Sequence, residues 1–236
     1  GATEGADNIP GYASDDTIDA LGGNDYLYGA DGNDTLSGGD GNDRVYGQDG
    51  NDTVSGNAGD DYVYGDAGDD TVSGGDGRDR VYGGTGDDTL SGGTGTNDTL
   101  YGQAGNDTYL FSLGDGNTTI SDYDSTDRNN ADHEDKLVFG EGIVASDVRV
   151  TRSSTSLLLT IQSTGEVVTV SSFFSSSDYE LNQVEFADGT VWTADEIKVL
   201  ALGATEGADN ITGYASDDTI DALGGNDYLY GADGND

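Results

Sequence analysis

The stretch Gly38-Gly39-Asp40-Gly41-Asn42-Asp43-Arg44-Val45-Tyr46 decides the fold. Nine residues on, the order returns as Gly47-Gln48-Asp49-Gly50-Asn51-Asp52-Thr53-Val54-Ser55. Steps of nine from Asp7 land on Asp16, Asp25, Asp34, Asp43, Asp52, Asp61, Asp70, Asp79 and Asp88. With about one residue in five acidic, this run arises by chance on the order of once in ten million, so the period is real. One extra residue enters between Gly92 and Tyr101, which makes Asp98 the next member, and the count resumes at Asp107.

Two residues after each Asp stands an aliphatic side chain: Ile9, Ile18, Leu27, Leu36, Val45, Val54, Val63, Val72, Val81, Leu90 and Leu100. Its neighbours are polar or aromatic, so the three residues alternate out, in, out, the period of a short strand with one buried side chain. The Gly-rich segment before each Asp reads as a turn. Strand and turn in nine residues make a coil, and two units close one turn of 18 residues. The two faces differ. Alternate units end Thr35-Leu36-Ser37, Thr53-Val54-Ser55 and Thr71-Val72-Ser73, the others Tyr26-Leu27-Tyr28, Arg44-Val45-Tyr46 and Tyr62-Val63-Tyr64. The column Tyr28, Tyr46, Tyr64, Tyr82, Tyr101 is expected to pack along its own sheet with Arg44 and Arg80 over aromatic faces, or to serve as a face for a glycan or for self-association.

This order of residues resembles the repeats-in-toxin family, whose nonapeptide is G-G-x-G-x-D-x-U-x. The match runs from about Ala2 to Leu110 and is nearest the pattern from Gly29 to Ser91. The resemblance implies an all-β fold, a parallel β-roll (a right-handed β-solenoid with two nonapeptides per turn), with calcium ions held between successive turns. It also implies export through a type I secretion channel as an unfolded chain, folding in external calcium, and an extracellular or cell-surface location.

The residue chemistry leads to calcium independently. Of 236 residues, 47 are acidic and 8 basic, which leaves a net charge of −39 and, with 33% hydrophobic residues, a composition close to that of disordered chains. An outside cation is needed to offset the repulsion. Carboxylates and Gly-turn carbonyls are hard oxygen ligands, and flexible turns suit Ca²⁺ better than the tight octahedron of Mg²⁺. Turns on one edge of the coil stack Asp7, Asp25, Asp43, Asp61, Asp79 and Asp98; those on the other stack Asp16, Asp34, Asp52, Asp70, Asp88 and Asp107. At a strand spacing of about 4.8 Å, bare carboxylates repel, and a divalent ion in each gap binds them together. Counting gaps gives roughly ten ions, which would bring the charge to about −19. The family pattern adds the carbonyls of Gly23, Gly32, Gly41, Gly50, Gly59, Gly68, Gly77, Gly86, Gly95 and Gly105. Binding and folding are expected to be one event.

Beyond Asp107 the repeat fades. Gly114-Asp115-Gly116-Asn117-Thr118 resembles a closing repeat with Thr118 at the Asp position. Residues 122–135 are acidic and turn-rich, either a flexible loop or an irregular calcium loop; an EF-hand begun at Asp122 fails, because positions six and twelve hold Asp127 and His133. Candidate strands follow at 136–139, 148–151, 157–161, 167–170, 184–186 and 190–192, with a hairpin turn at Asp188-Gly189 and a Thr193–Glu196 capping box opening a helix through Leu200. Phe173, Phe174, Phe186 and Trp192 are the expected core of a cap on the roll. Asp135–Phe139, the pair Phe173-Phe174 and Val184–Trp192 also resemble the calcium-binding-related segment that accompanies such repeats in large secreted bacterial proteins. Residues 203–236 repeat residues 1–34 with Pro10 replaced by Thr212, so Asp209, Asp218, Asp227 and Asp236 are candidate ligands too. The division is therefore 1–110 roll, 111–202 cap, 203–236 start of the next roll, and the chain, which opens at Gly1 without Met, reads as an internal piece of a tandem array.

Several functions are excluded by composition. A charge of −39 repels phosphate backbones and anionic lipid, and no apolar run reaches the length of a membrane span. With no Cys there is no thiolate site. His133 has no second His four residues on, where Leu137 stands, and no nucleotide-binding fingerprint occurs, so no enzyme is expected. The expected function is a calcium-folded structural module, an extender or adhesin-like array unit; the alternatives are a carrier region for an enzyme or toxin domain, or a glycan-binding or self-associating module, end to end or through the Tyr face.

Overall fold

The computed structural model describes residues 2–121, 123, 134–176, 179–203, 207–213, 220 and 224–232. Asp218, Asp236, His133 and most of the acidic segment 122–135 lie outside the described residues. In chain order the repeat region forms β1 (Asn8–Pro10), β2 (Thr17–Asp19), β3 (Tyr26–Asp31), β4 (Thr35–Asp40), β5 (Arg44–Asp49), β6 (Thr53–Ala58), β7 (Tyr62–Ala67), β8 (Thr71–Asp76), β9 (Arg80–Thr85), β10 (Thr89–Ser91) and β11 (Asp98–Ala104). Then follow β12 (Thr108–Phe111), β13 (Thr118–Ile120), β14 (Lys136–Phe139), β15 (Val148–Ser153), β16 (Ser156–Ile161), β17 (Val167–Val170), β18 (Gln183–Glu185), β19 (Val191–Thr193), α1 (Ala194–Ala201), β20 (Asn210–Thr212) and β21 (Tyr228–Tyr230).

Odd-numbered strands β1 to β11 pair in parallel in one sheet and even-numbered strands β2 to β12 in the other, so every turn of chain crosses between two sheets. The register is 18 residues: Leu27 lies beside Val45, Val45 beside Val63, and Leu36 beside Val54. One aliphatic side chain per strand points inward, and Leu27, Leu36, Val45, Val54, Val63, Val72, Val81, Leu90 and Leu100 are all buried. This is the parallel β-roll expected from the sequence. The strands run longer than the expected three residues. From β3 to β9 each spans six, because the first Gly of the turn is extended and buried and pairing continues through it. The extra residue of the 92–101 unit is absorbed in the turn, where Asn97 takes φ 65°.

The cap continues the roll's own sheets. Strands β13, β17, β16 and β15 extend the odd sheet, with the last two pairings antiparallel, and β14, β18 and β19 extend the even sheet. Every expected cap strand is present within two residues. Gly189, at φ 88°, makes the turn between β18 and β19, and α1 carries the expected capping box, Thr193 Oγ1 accepting from Glu196 N–H and Glu196 from Thr193 N–H. Phe173 and Phe186 are buried, with Phe174 and Trp192 packed on their flank. In the second copy, β20 and β21 pair in the register of β1 and β3.

Candidate metal centre

The Asp of each unit sits at the start of a strand, where its carboxylate turns back over the adjoining turn. Its Oδ1 accepts the backbone N–H of the Asp one coil earlier: Asp25 N–H donates to Asp43 at 2.8 Å, Asp43 to Asp61 at 2.7 Å, Asp61 to Asp79 at 2.8 Å and Asp79 to Asp98 at 2.9 Å. The other edge repeats this from Asp16 through Asp34, Asp52, Asp70 and Asp88 to Asp107. A second ladder runs the opposite way one residue before. Asn42 N–H donates to Asn24 Oδ1, Asp60 N–H to Asn42 Oδ1 and Arg78 N–H to Asp60 Oδ1. The two ladders clamp each pair of turns.

The second carboxylate oxygen is different. Oδ2 of Asp25, Asp34, Asp43, Asp52, Asp61, Asp70, Asp79, Asp88 and Asp98 is buried and meets no hydrogen-bond donor of the protein. An unmatched buried oxygen is costly, and a column of them calls for a cation. Seven of them point into a small cradle beside the first Gly of their own turn. At Gly74, an added Cβ would lie 2.5 Å from Asp79 Oδ2 and 2.6 Å from Gly92 O, so a methyl group would fill the space. The same pairing of an Asp Oδ2 with a Gly carbonyl from the next coil occurs beside Gly29, Gly38, Gly47, Gly56, Gly65 and Gly83, which makes seven equivalent cradles, at Asp34, Asp43, Asp52, Asp61, Asp70, Asp79 and Asp88. Carboxylate and carbonyl oxygens in this arrangement fit a hard cation. Among the described residues no three acidic or His side chains gather round one point, so backbone carbonyls must supply the remaining oxygens.

The ends of the array depart from this pattern. Asp7 and Asp16 are half-buried, and their Oδ2 atoms accept the backbone N–H of Thr3 and of Tyr12, both at 2.6 Å. At Asp25 the corresponding position, five residues before, is Ala20, which carries a methyl group where the other turns have Gly. At Asp98 no carbonyl is among the atoms nearest the cradle point, and at Asp107 the Tyr109 hydroxyl enters it, accepting Gly102 N–H at 3.0 Å. In the second copy Asp209 N–H donates to Asp227 Oδ1 at 2.9 Å, as Asp7 does to Asp25.

The carbonyls beside the carboxylates belong to the first Gly of the turn, a set the sequence reading did not single out. The sequence does mark it: these Gly residues stand five before each Asp, directly after the outward Tyr or Ser. The expected carbonyls of Gly23, Gly32, Gly41, Gly50, Gly59, Gly68, Gly77 and Gly86 lie close to the equivalent Gly one coil on. Gly41, for one, has φ 133° and no room for a side chain over Gly23 O. Gly95 and Gly105 receive the carbonyls of Gly77 and Gly86 in the same way.

Burial, more than mutual repulsion, governs the electrostatics, and this corrects the emphasis of the sequence reading. Desolvation raises the carboxyl pKa of Asp61 to about 7, of Asp79 to about 7, of Asp88 to about 8, and of Asp70 and Asp98 to about 6, with the neighbouring carboxylates adding a smaller push. Asp43 and Asp52 move the same way for the same cause. The backbone N–H on Oδ1 opposes the shift without cancelling it.

The sequence matches the family model for the RTX calcium-binding nonapeptide repeat over residues 1–36, 37–72, 64–97, 73–109, 93–120 and 203–236, more than half of the chain. The chain belongs to the RTX calcium-binding nonapeptide repeat family. Residues 157–196 match the haemolysin-type calcium binding protein related domain. Neither description is that of an enzyme. The iron-regulated protein FrpA of Neisseria meningitidis serogroup C is 40% identical over 117 residues, which are 48% of this chain and 10% of that protein. The chain thus spans about a tenth of the length of this relative. The extracellular lipase LipA of Serratia marcescens is 18% identical, over 71% of this chain and 36% of that one, with a TM-score of 0.27, too low to carry an argument.

Two further RTX positions are joined to the ladder by the fold. Asp135 follows Asp107 in the ladder across the long insertion: Asp107 N–H donates to its Oδ1 at 2.6 Å, and Asp135 N–H to Asn182 Oδ1 at 3.1 Å. Asp135-Lys136-Leu137 and Asn182-Gln183-Val184 keep the spacing of the repeat, which is the signal that finds them. Asp135 is fully buried, as the mid-array members of the ladder are. On the other edge Thr118 pairs with Asp98 and leaves its buried Oγ1 unmatched.

The Tyr column packs on itself. Rings of Tyr28, Tyr46, Tyr64, Tyr82 and Tyr101 stack at 4.6–5.1 Å, within 7° of parallel. Interior rings have both faces covered by neighbouring rings.

Proposed function

We propose that this RTX unit is a calcium-folded structural module of a secreted protein, with one ion in each of the seven complete cradles. In each, the Asp Oδ2 and the first-Gly carbonyl of the next coil supply oxygens, and the carbonyls of Gly23, Gly32, Gly41, Gly50, Gly59, Gly68, Gly77, Gly86, Gly95 and Gly105 are the candidates for the rest. The carrying observation is the column of buried carboxylate oxygens with no donor. The chain's part is to hold each carboxylate in place through Oδ1, keep water out of the cradle and aim Oδ2 inward; the ion's part is charge neutralisation. Asp7, Asp16, Asp25, Asp98, Asp107, Asp209 and Asp227 are weaker sites on this reading. The test is a count of bound calcium by equilibrium dialysis. At least seven ions per chain are expected, and three or fewer would refute the assignment.

In this role the unit extends an array, leaving the cell unfolded through a type I channel and folding in external calcium. The near-identity of residues 203–236 to residues 1–34 supports an array of such units. A second reading, a carrier region for an enzyme or toxin domain elsewhere in a longer protein, draws on the small share of FrpA that the chain covers. Sequence on either side of the unit separates the two. Self-association, end to end or along the Tyr face, is checked by light scattering of the chain and of Tyr64→Ser in calcium.

A further inference from the structure

The chain has 8 basic residues, and three of them, Arg44, Arg78 and Arg80, line one hollow of about 430 Å³ on the odd sheet beside its turn edge. Arg44 lies between the rings of Tyr26 and Tyr62, 5.3 and 5.1 Å from their centroids, and Arg80 lies 5.2 Å from that of Tyr62. Each guanidinium is pinned by a hydrogen bond to a phenol, Arg44 Nη1 to Tyr26 Oη and Arg80 Nη1 to Tyr62 Oη, both 2.8 Å. Because the phenols accept these bonds, their own O–H groups remain to donate outward. Asn24 and Asn42 behave alike: their Oδ1 atoms are taken by the turn ladder, which leaves the side-chain N–H₂ groups as donors. Two acids line it as well: Asp60, exposed at the rim and paired with Arg78 at 3.6 Å, and Asp43, a buried cradle carboxylate whose Oδ1 accepts Asp25 N–H. Asp43 apart, the hollow is thus lined by donors whose own acceptors are engaged, in a protein rich in acidic residues.

Such a lining selects a ligand rich in acceptors and negatively charged. Arg44 and Arg80 are two strands apart, roughly 10 Å, about the repeat of two pyranose rings in an extended glycan. Rigid, stacked guanidiniums match carboxylates with two parallel N–H donors. We propose that this hollow binds an acidic polysaccharide with a carboxylate on alternate sugars, the carboxylates meeting Arg44 and Arg80 and the hydroxyl oxygens between them meeting the Tyr hydroxyls and Asn amides. An isolated carboxylate such as acetate would leave the Asn and Tyr donors unmatched. The hollow shares Asp43 with one calcium cradle and needs the roll to be folded.

The test is calorimetry of the full chain in calcium at physiological salt, where screening limits repulsion from the acidic turns. The probes are a hyaluronan hexasaccharide, the neutral chitohexaose, and acetate at equal carboxylate concentration. The acidic hexasaccharide is expected to bind at least tenfold more tightly than chitohexaose. Arg44→Gln and Arg80→Gln should each weaken it about tenfold, Tyr62→Phe a few-fold, and Arg149→Gln on the cap not at all. Unchanged far-UV circular dichroism shows that each variant is folded, and Tyr62→Phe keeps the ring stack if an Arg variant fails this check. Equal binding of chitohexaose, acetate competing on equal terms with the hexasaccharide, or full affinity in a folded Arg80→Gln chain would each overturn the proposal.

Discussion

Gly74→Ala tests the cradle with a single methyl group. Gly74 is not in the left-handed region, so Ala suits its backbone and by itself is worth about 0.5–1 kcal/mol in favour of a strand residue. The methyl group, however, would sit 2.5 Å from Asp79 Oδ2 and 2.6 Å from Gly92 O, inside the 3.0 Å that Cβ atoms essentially never breach. The ion is displaced or the turn is forced open. A site half-filled at Kd and held at a hundredfold higher calcium contributes about 2.7 kcal/mol to folding. The substitution is therefore expected to lower stability in saturating calcium by about 3 kcal/mol, and more if a neighbouring gap is lost with it. Urea unfolding at two calcium concentrations measures the loss, and dialysis measures the count, which should fall by one or two ions. The converse change, Ala20→Gly, opens the cradle of Asp25 and should add one. An unchanged ion count and an unchanged calcium dependence in Gly74→Ala would refute the placement of the ion.

Asp61→Asn keeps the Oδ1 acceptor for Asp43 N–H and removes the buried charge. A pKa of about 7 in place of 3.8 opposes ionisation of Asp61 by about 4 kcal/mol, so this variant should be more stable than the parent in chelator at pH 8 and less stable in calcium; the crossing is read by thermal melts in both buffers. The pH dependence of the metal-free chain has a definite sign. Raised carboxyl pKa values mean that the folded state holds protons the unfolded state releases, so their stabilisation is complete below about pH 4 and is lost as pH rises through about 6 to about 8. In chelator, β-structure should therefore grow on acidification, and circular dichroism that falls monotonically toward acid would contradict this. Tyr64→Ser breaks two ring stacks, of 4.7 and 4.6 Å, and should cost about 1–3 kcal/mol with loss of near-ultraviolet dichroism while the calcium count stays the same.

The repeat was legible because its period is written in several residue types at once. Asp spacing gave the coil, the aliphatic residue two places on gave the inward face, and Thr/Ser against Tyr gave the two sheets. Asp188-Gly189 and the Thr193–Glu196 box were legible for a local reason, since a turn and a cap are set by adjacent residues. The missed features depend on the next coil. That the Gly56 carbonyl meets Asp43 Oδ2 follows from an 18-residue register, not from either residue alone. The role of Asp135 was hidden by an insertion that lengthens the step from Asp107 to 28 residues. The Tyr109 hydroxyl entering its own coil's cradle has no repeat to announce it. Repulsion between carboxylates could be counted from the sequence, but their desolvation, the larger effect, required the packed turns.

The most direct measurement is a calcium titration of the chain by far-UV circular dichroism from a chelated start near pH 8, with magnesium in parallel. The account predicts a cooperative coil-to-β transition with calcium and none with magnesium at the same concentrations. A chain already fully β-structured in strong chelator at that pH, or one folded equally by magnesium, would contradict it.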